Sequence, residues 1–297
     1  MNDALQHWTS AMRAGHYGAA WAIAQATLEA RDPASRDDPS LPYHLRWVWD
    51  GSDVRGRDVL VRCYHGLGDT IQFARYLPLL AERARSVTIE VQPRLLDLLA
   101  RAGPIGRLVP FDPEAPLPRS ECDIEITELD LALRTPPEAV AIPYLQASRA
   151  VLPRGTIGLC HSAGDWVADR SVPANLFKSF CGIASCITLT PAPTALPVLN
   201  PKGCPFDIGA TASLVAGVDL VITVDTMIAH LAGAMGKPTW LLLKADPDWR
   251  WPPRAATSGW YPSMRLYAQP WAGDWTPVVE RVARDLAARA ERREDGR

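Results

Sequence analysis

Two short stretches of this sequence hold residue types and spacings that could do chemistry. The first is Gly66-Leu67-Gly68-Asp69-Thr70. Two glycines let backbone approach a ligand closely, and a carboxylate one residue on can project as a general base. The same Asp69 would serve equally as a plain helix cap. The second is Asp225-Thr226-Met227-Ile228-Ala229-His230. Asp and Thr suit a helix start, where backbone N–H groups and the helix dipole attract phosphate. His230 follows Thr226 at i+4, so both fall on one helix face, within reach of one anion. A cap alone again explains Asp225 and Thr226. A third candidate is Arg170, a planar fork suited to phosphate that also reads as an ordinary exposed arginine.

The elements that must position these residues are legible around them. Val59–Tyr64 is an apolar run that reads as a core strand leading into Gly66, and a helix with Ile71, Phe73, Ala74, Leu77 and Leu80 on its apolar side follows. Ser86–Val91 and Arg107–Val109 read as further strands, with a helix over Pro93–Ala102. A second alternation begins at Thr156–Cys160. It passes the small-residue turn His161–Trp166, a helix over Ala174–Phe180, a strand near Cys186–Thr190 and a helix over Thr211–Ala216. Asp219–Val224 is β-branched and nearly unbroken in its apolar run, as a strand buried on both faces should be. Ile228, Leu231, Ala232 and Met235 then recur at helical spacing, Gly236 and Pro238 stop the helix, and Thr239–Leu243 is the next strand. Alternating strand and helix predicts parallel sheets with crossover helices, and ligands in such sheets bind beyond the carboxyl ends of the strands.

The flanks read differently. Residues 4–31 predict two helices broken at Gly15, with Leu5, Trp8 and Met12 on one face and Tyr17, Ala20, Trp21, Ala24 and Leu28 on the other. The layout is similar to one tetratricopeptide unit, which cannot bury its own apolar face and must cap the next domain or a partner. Residues 32–42 read as a linker. Residues 114–140 are acidic and proline-rich with one apolar stretch, Ile124–Leu133. Residues 244–276 hold seven Trp and Tyr without periodicity and read as a long packed connection. Thr276-Pro277 predicts an N-cap and N1 for a last helix carrying Val278, Val279, Val282 and Leu286, and Glu291–Arg297 reads as a disordered charged tail.

Composition narrows the function classes. The chain has 297 residues, 47% of them hydrophobic, enough for about two domains. A net charge of −2 gives no general pull towards nucleic acid or an anionic membrane. No apolar run approaches the roughly 20 residues of a membrane span, and the first residues lack a signal-peptide pattern, so a cytoplasmic protein with at most peripheral membrane association is expected. The six cysteines form no C-x-x-C pair and read as buried free thiols.

Taken together, Gly66–Pro78 and Asp219–Pro238 resemble the two long motifs of glycosyltransferase family 9, the heptosyltransferase-like group, in the branch often fused to tetratricopeptide repeats. Asp248–Trp251 and Trp260–Arg265 add to the likeness, which spans about residues 44–287. The resemblance implies a GT-B architecture: two Rossmann-like parallel-sheet lobes facing a cleft. The expected division is 1–45 hairpin and linker, 46–150 acceptor lobe, 151–270 nucleotide-sugar donor lobe, and 271–297 a helix packing across the lobes. It implies inverting, metal-independent transfer from a nucleotide-diphosphate sugar to a hydroxyl of a glycan or other acceptor, with no cofactor. On this resemblance Asp69 is the base, while Gly66, Gly68, Arg170, Asp225, Thr226 and His230 bind donor and phosphate. His161-Ser162-Ala163-Gly164 departs from the aromatic-small-Gly-Asn pattern of the family. The alternative is a catalytically degenerate GT-B protein that binds a protein partner through its helical hairpin.

Overall fold

The computed structural model describes residues 3–32, 38, 40–46, 49–164 and 169–295, and its chain divides into two units, Met1–Leu145 and Gln146–Arg297. The linker expected over residues 32–42 falls largely outside the described residues, as do Asp165 and Trp166.

In the first unit, β1 (Asp58–Arg62), β2 (Ser86–Val91), β3 (Arg107–Pro110) and β4 (Cys122–Glu125) form a parallel sheet in the order β3-β2-β1-β4. Val59, Val61, Ile89, Val91 and Ile124 are buried in it. The expected helix after β1 is split: Leu67–Phe73 is helical, Ala74–Tyr76 tightens to a 3-10 turn, and a second helix runs Leu77–Arg83 with Pro78 in its first turn. Strand β4 lies in residues 114–140, where the sequence showed an acidic, proline-rich segment and no strand. Its Asp123 and Glu125 break the apolar signature of a core strand, yet both are buried. The helices Asp3–Arg13 and Tyr17–Glu29 pack on this unit, with Gly15 between them at φ 73°. The Trp21 indole donates to Asp130 at 3.0 Å and Arg134 donates to Gln25 at 3.0 Å, so the hairpin caps the domain that follows it.

In the second unit, β5 (Ile157–Cys160), β6 (Cys186–Thr188), β7 (Leu220–Val224), β8 (Thr239–Leu243) and β9 (Met264–Ala268) form a parallel sheet in the order β6-β5-β7-β8-β9. Strand β9 corrects the reading of 244–276 as connection only. It is an edge strand whose Arg265 lies in the outward register and pairs with Asp285 at 2.7 Å. The helix Ile208–Gly217 starts on Asp207, whose carboxylate accepts the Ala210 N–H. The last helix, Thr276–Asp295, presses Val278, Val279, Val282 and Leu286 into a core with Leu159, Phe177, Ile222 and Tyr267. Two boundary readings change here. The Trp275 carbonyl accepts the first helical bond, from Val279, so Thr276 is helical rather than the cap. The helix also continues to Asp295, through most of the segment expected to be a disordered tail. The cysteines are free, and five of the six are buried. Among the described residues no helix is long and apolar enough to cross a membrane.

Candidate functional site

In the first unit the sheet delivers β1 into the Gly66 turn under tight control. Arg62, the last residue of β1, pairs in register with Glu90 of β2 and Glu125 of β4. Its guanidinium is fully buried and bridges Asp123 at 2.6 Å and Glu90 at 3.1 Å. The Tyr64 hydroxyl donates to the same Glu90 carboxylate, and Leu117 N–H donates to its other oxygen at 2.7 Å. A buried ion cluster of this kind is costly to desolvate, but with every partner present it locks three strand ends in one register.

Beyond that lock, Gly66 is the helix cap in an extended conformation, φ −66° and ψ 157°. Asp69 stands at the third helical position and its carboxylate accepts the Gly66 N–H at 3.1 Å. This is the reach-back half of a capping box, and it holds a half-buried carboxylate at the head of the helix. Gln92 braces the turn from β2's end: its amide donates to the His65 carbonyl at 2.8 Å and its oxygen accepts from Thr70 at 3.0 Å. Behind the turn lies Glu125, a residue sequence reasoning missed. Burial pushes its carboxyl well above the usual range, the neighbouring Glu128 and Asp69 charges push it further, and the Tyr64 N–H it accepts pulls it down. Its only sequence signal was an acidic residue ending a short apolar run.

In the second unit β7 is buried along its whole length and leads directly into Asp225. Thr226 caps the next helix, Met227–Ala234, its hydroxyl accepting the Ile228 N–H at 3.2 Å. Asp225 is only 7% exposed, and burial raises its carboxyl above the ordinary value. Arg170 opposes that shift most strongly, its guanidinium reaching the carboxylate at 3.5 Å; Arg250 and the Trp251 indole also oppose it, and Asp248 adds to it. The Arg170 Nε is buried without a hydrogen-bond partner among the described residues. His230 is buried as well. Its Nδ1 lies 3.1 Å from the Tyr261 hydroxyl and its ring stacks on Trp251 with centroids 5.7 Å apart. Gly233 makes that packing possible, because a Cβ there would stand 2.4 Å from the Tyr261 ring.

The structure thus gathers Arg170, Asp225 and Thr226 around one helix start, with His230 one turn inside it. Gly66, Gly68 and Asp69 share the turn of the first unit. Asp248, Arg250 and Trp251 join the Asp225 surroundings, in keeping with the Asp-Trp-Arg-Trp motif. Trp249 and Trp260 pack edge-to-face and Arg250 lies over Trp249 at 4.2 Å, so these aromatics build the wall of the site rather than a free platform.

Two parallel-sheet units in tandem, each with a polar strand-to-helix turn at the carboxyl edge of its sheet, define the GT-B class. Residues 204–270 match the model of glycosyltransferase family 9 (heptosyltransferase). The chain has the fold of E. coli ADP-heptose LPS heptosyltransferase II, with a TM-score of 0.55 at 16% identity over 80% of this chain and 99% of that one. E. coli heptosyltransferase WaaC, solved with ADP-2-deoxy-2-fluoro heptose, superimposes with a TM-score of 0.52 at 11% identity, covering 77% of this chain and 99% of that one. Protein FlbA of Caulobacter vibrioides is 27% identical over 329 aligned positions, covering 92% of this chain. The chain spans about half that relative's length, 53%. Residues 204–270 thus carry a family 9 signature, and the chain around them has the fold seen in the solved heptosyltransferases.

Proposed function

We propose that the protein transfers a sugar from a nucleotide-diphosphate sugar to an acceptor hydroxyl, with inversion and without a metal. The observation that carries this reading is the Arg170–Asp225 pair beside the Thr226 helix cap, with Asp225 and Thr226 inside the segment that matches the family model. A heptosyltransferase of this fold has been solved with an ADP-sugar analogue, which supports a nucleotide-sugar donor here. The acceptor class is a glycan or another hydroxyl compound.

The chemistry follows from the charges. Asp69 takes the acceptor hydroxyl proton as the acceptor oxygen bonds to the anomeric carbon. The bond from that carbon to the diphosphate oxygen breaks on the opposite face, which inverts the configuration. The departing diphosphate needs positive charge and donors, and Arg170, the Thr226 hydroxyl and the backbone N–H groups at the helix start are suited to supply them. Asp225 holds Arg170 in place for that role and His230 stiffens the helix from within.

The test is a thermal-shift screen against ADP-, GDP-, UDP- and dTDP-linked sugars, first without metal and then with magnesium. A donor at about 100 times its dissociation constant adds roughly 2.7 kcal/mol of stability. We expect one nucleotide class to give a metal-independent shift that Arg170→Ala abolishes. One observation favours a second reading, a binding module without turnover: Asp69 is engaged in capping Gly66. A shift with no nucleotide at all would select that reading.

A further inference from the structure

The second unit contains a cavity of 480 Å³ that shares no residue with the donor set just described. It opens beyond the carboxyl ends of β8 and β9. Pro253, Pro270 and Pro277 form rigid parts of its wall, Ala245, Ala268 and Val278 give it an apolar lining, and Arg254 and Arg281 stand at its rim. The size suits a small molecule of about sugar-phosphate dimensions.

Three features define the cavity, and the first and third give it a sign. Arg254 and Arg281 are both exposed, and neither has a carboxylate within ion-pair distance among the described residues. Arg281 instead lies over the Tyr267 ring at 4.9 Å, and the nearby Asp285 is taken by Arg265 at 2.7 Å and the Tyr267 hydroxyl at 2.9 Å. Second, Gln269 of the cavity wall is 6% exposed. Its side-chain oxygen accepts the Ala245 N–H at 3.2 Å, which fixes the amide and leaves its Nε2 donor without a partner among the described residues. That nitrogen is itself closed off from solvent, so Gln269 shapes the cavity wall without presenting a donor to it. Third, the wall includes the first turn of the 20-residue last helix. Asp274 takes the Thr276 N–H and Pro277 has none, so Val278 presents the next N–H at the positive end of the helix.

We infer that this cavity is an anion-binding site, distinct from the donor site, for a small molecule bearing a phosphate ester or a carboxylate. Two guanidinium forks meet the anion, the helix start adds a backbone N–H, and the proline-lined wall takes the body of the ligand. The inference does not depend on the donor reading, because no residue is shared.

The test uses the full chain, labelled with ¹⁵N, titrated separately with inorganic phosphate, glucose 6-phosphate and glucuronate. The side-chain amide signal of Gln269, assigned by its loss in Gln269→Leu, reports on the wall of this cavity, and the arginine variants tie the response to it. A saturable shift of that signal, weakened at least tenfold in Arg254→Ala/Arg281→Ala and unchanged in Arg170→Ala, is the expected result. Glucose 6-phosphate binding more tightly than glucuronate assigns a phosphate ester, and the reverse order assigns a carboxylate. No saturable shift with any of the three, or one that persists in the double variant, overturns the inference. The donor screen reads a different response, so either reading can fail while the other stands. Gln269→Leu removes an unpaired donor but also the acceptor of the Ala245 N–H, and its melting temperature checks that the variant folds.

Discussion

Asp69 and Asp225 both stand where a buried parallel strand gives way to a helix, yet their surroundings are opposite. Asp69 is half-buried, in the third position of its helix, and reaches back to the Gly66 N–H. Asp225 precedes its helix, is 7% exposed and faces Arg170. The first unit keeps its deeply buried carboxyls behind the turn, at Glu90, Asp123, Glu125 and Asp130. The second puts one at the turn itself. A carboxylate that must take a proton from an acceptor has to meet solvent and ligand. One that must hold an arginine has to be fixed, and burial beside its partner fixes it.

The largest expected effect separates those two roles. Asp69→Asn keeps an oxygen for the Gly66 N–H and loses the base. We predict that turnover falls roughly 10²- to 10⁴-fold with nucleotide-sugar affinity unchanged, measured by steady-state kinetics and calorimetry. Asp225→Asn should instead weaken donor binding. If Asp69→Asn turns over like the wild type, the two carboxylates do not divide the work in this way.

The next effect concerns the carboxyls that the first unit hides. Asp130 is buried and its carboxyl is pushed up to about 6, mainly by desolvation, against the pull of the Trp21 indole bond. An acid raised in the native state binds its proton more tightly there than when unfolded. Its penalty is absent below the unfolded value near 4 and grows as pH rises through about 6. A rise of that size costs the fold at most about 3 kcal/mol at pH 7. Asp130→Asn should therefore flatten the fall in stability between those pH values, while keeping the hairpin docked. Denaturant melts at pH 4, 5, 6 and 7 measure it, and parallel curves for variant and wild type would count against the assignment.

Glycines give the third contrast. A Cβ at Gly233 meets the Tyr261 ring at 2.4 Å, while one at Gly66 meets only the flexible Asp69 carboxylate at 3.1 Å. Gly233→Ala should cost about 1–3 kcal/mol and disturb the His230–Trp251 stack, whereas Gly66→Ala should cost less than about 1 kcal/mol. Urea melts of the two variants compare them directly, and equal costs would mean that the aromatic wall yields as easily as the exposed turn.

The same physics explains what the sequence could reveal. Strands β5, β7 and β8 were legible because small and apolar side chains bury on both faces, and β1 and β2 because their apolar runs outweigh the buried Arg62 and Glu90. Strand β4 was not, because Asp123 and Glu125 are tolerated inside only through Arg62 and the Tyr64 N–H, contacts made 61 residues away. Strand β9 was hidden by Arg265, which belongs to an exposed edge. The two turns were legible because caps and glycine turns are local chemistry. Their long-range neighbours were not: the 3.5 Å approach of Arg170 to Asp225 and the enclosure of His230 by Trp251 and Tyr261 depend on how the sheet brings distant loops together.

The smallest effect tests the Arg170–Asp225 pair by its pH dependence rather than its size. Arg170 is the strongest force holding the Asp225 carboxyl down against burial, so Arg170→Gln lets it rise further. The Arg170 side chain is 29% exposed, so water can approach the vacated place and the loss at neutral pH should be only about 1 kcal/mol. An acid raised in the folded state costs nothing below the unfolded value near 4, where it is protonated in both states. Above that value the variant must hold a proton on Asp225 or bury an unpaired charge. The gap between wild type and variant should therefore be smallest near pH 4 and widen towards pH 7. In an Asp225→Asn background the same arginine substitution should show no such widening, because nothing there titrates. A gap that stays constant with pH, or that persists in the Asn background, would show that Arg170 contributes by packing alone and that the two turns differ less in electrostatics than their burial suggests.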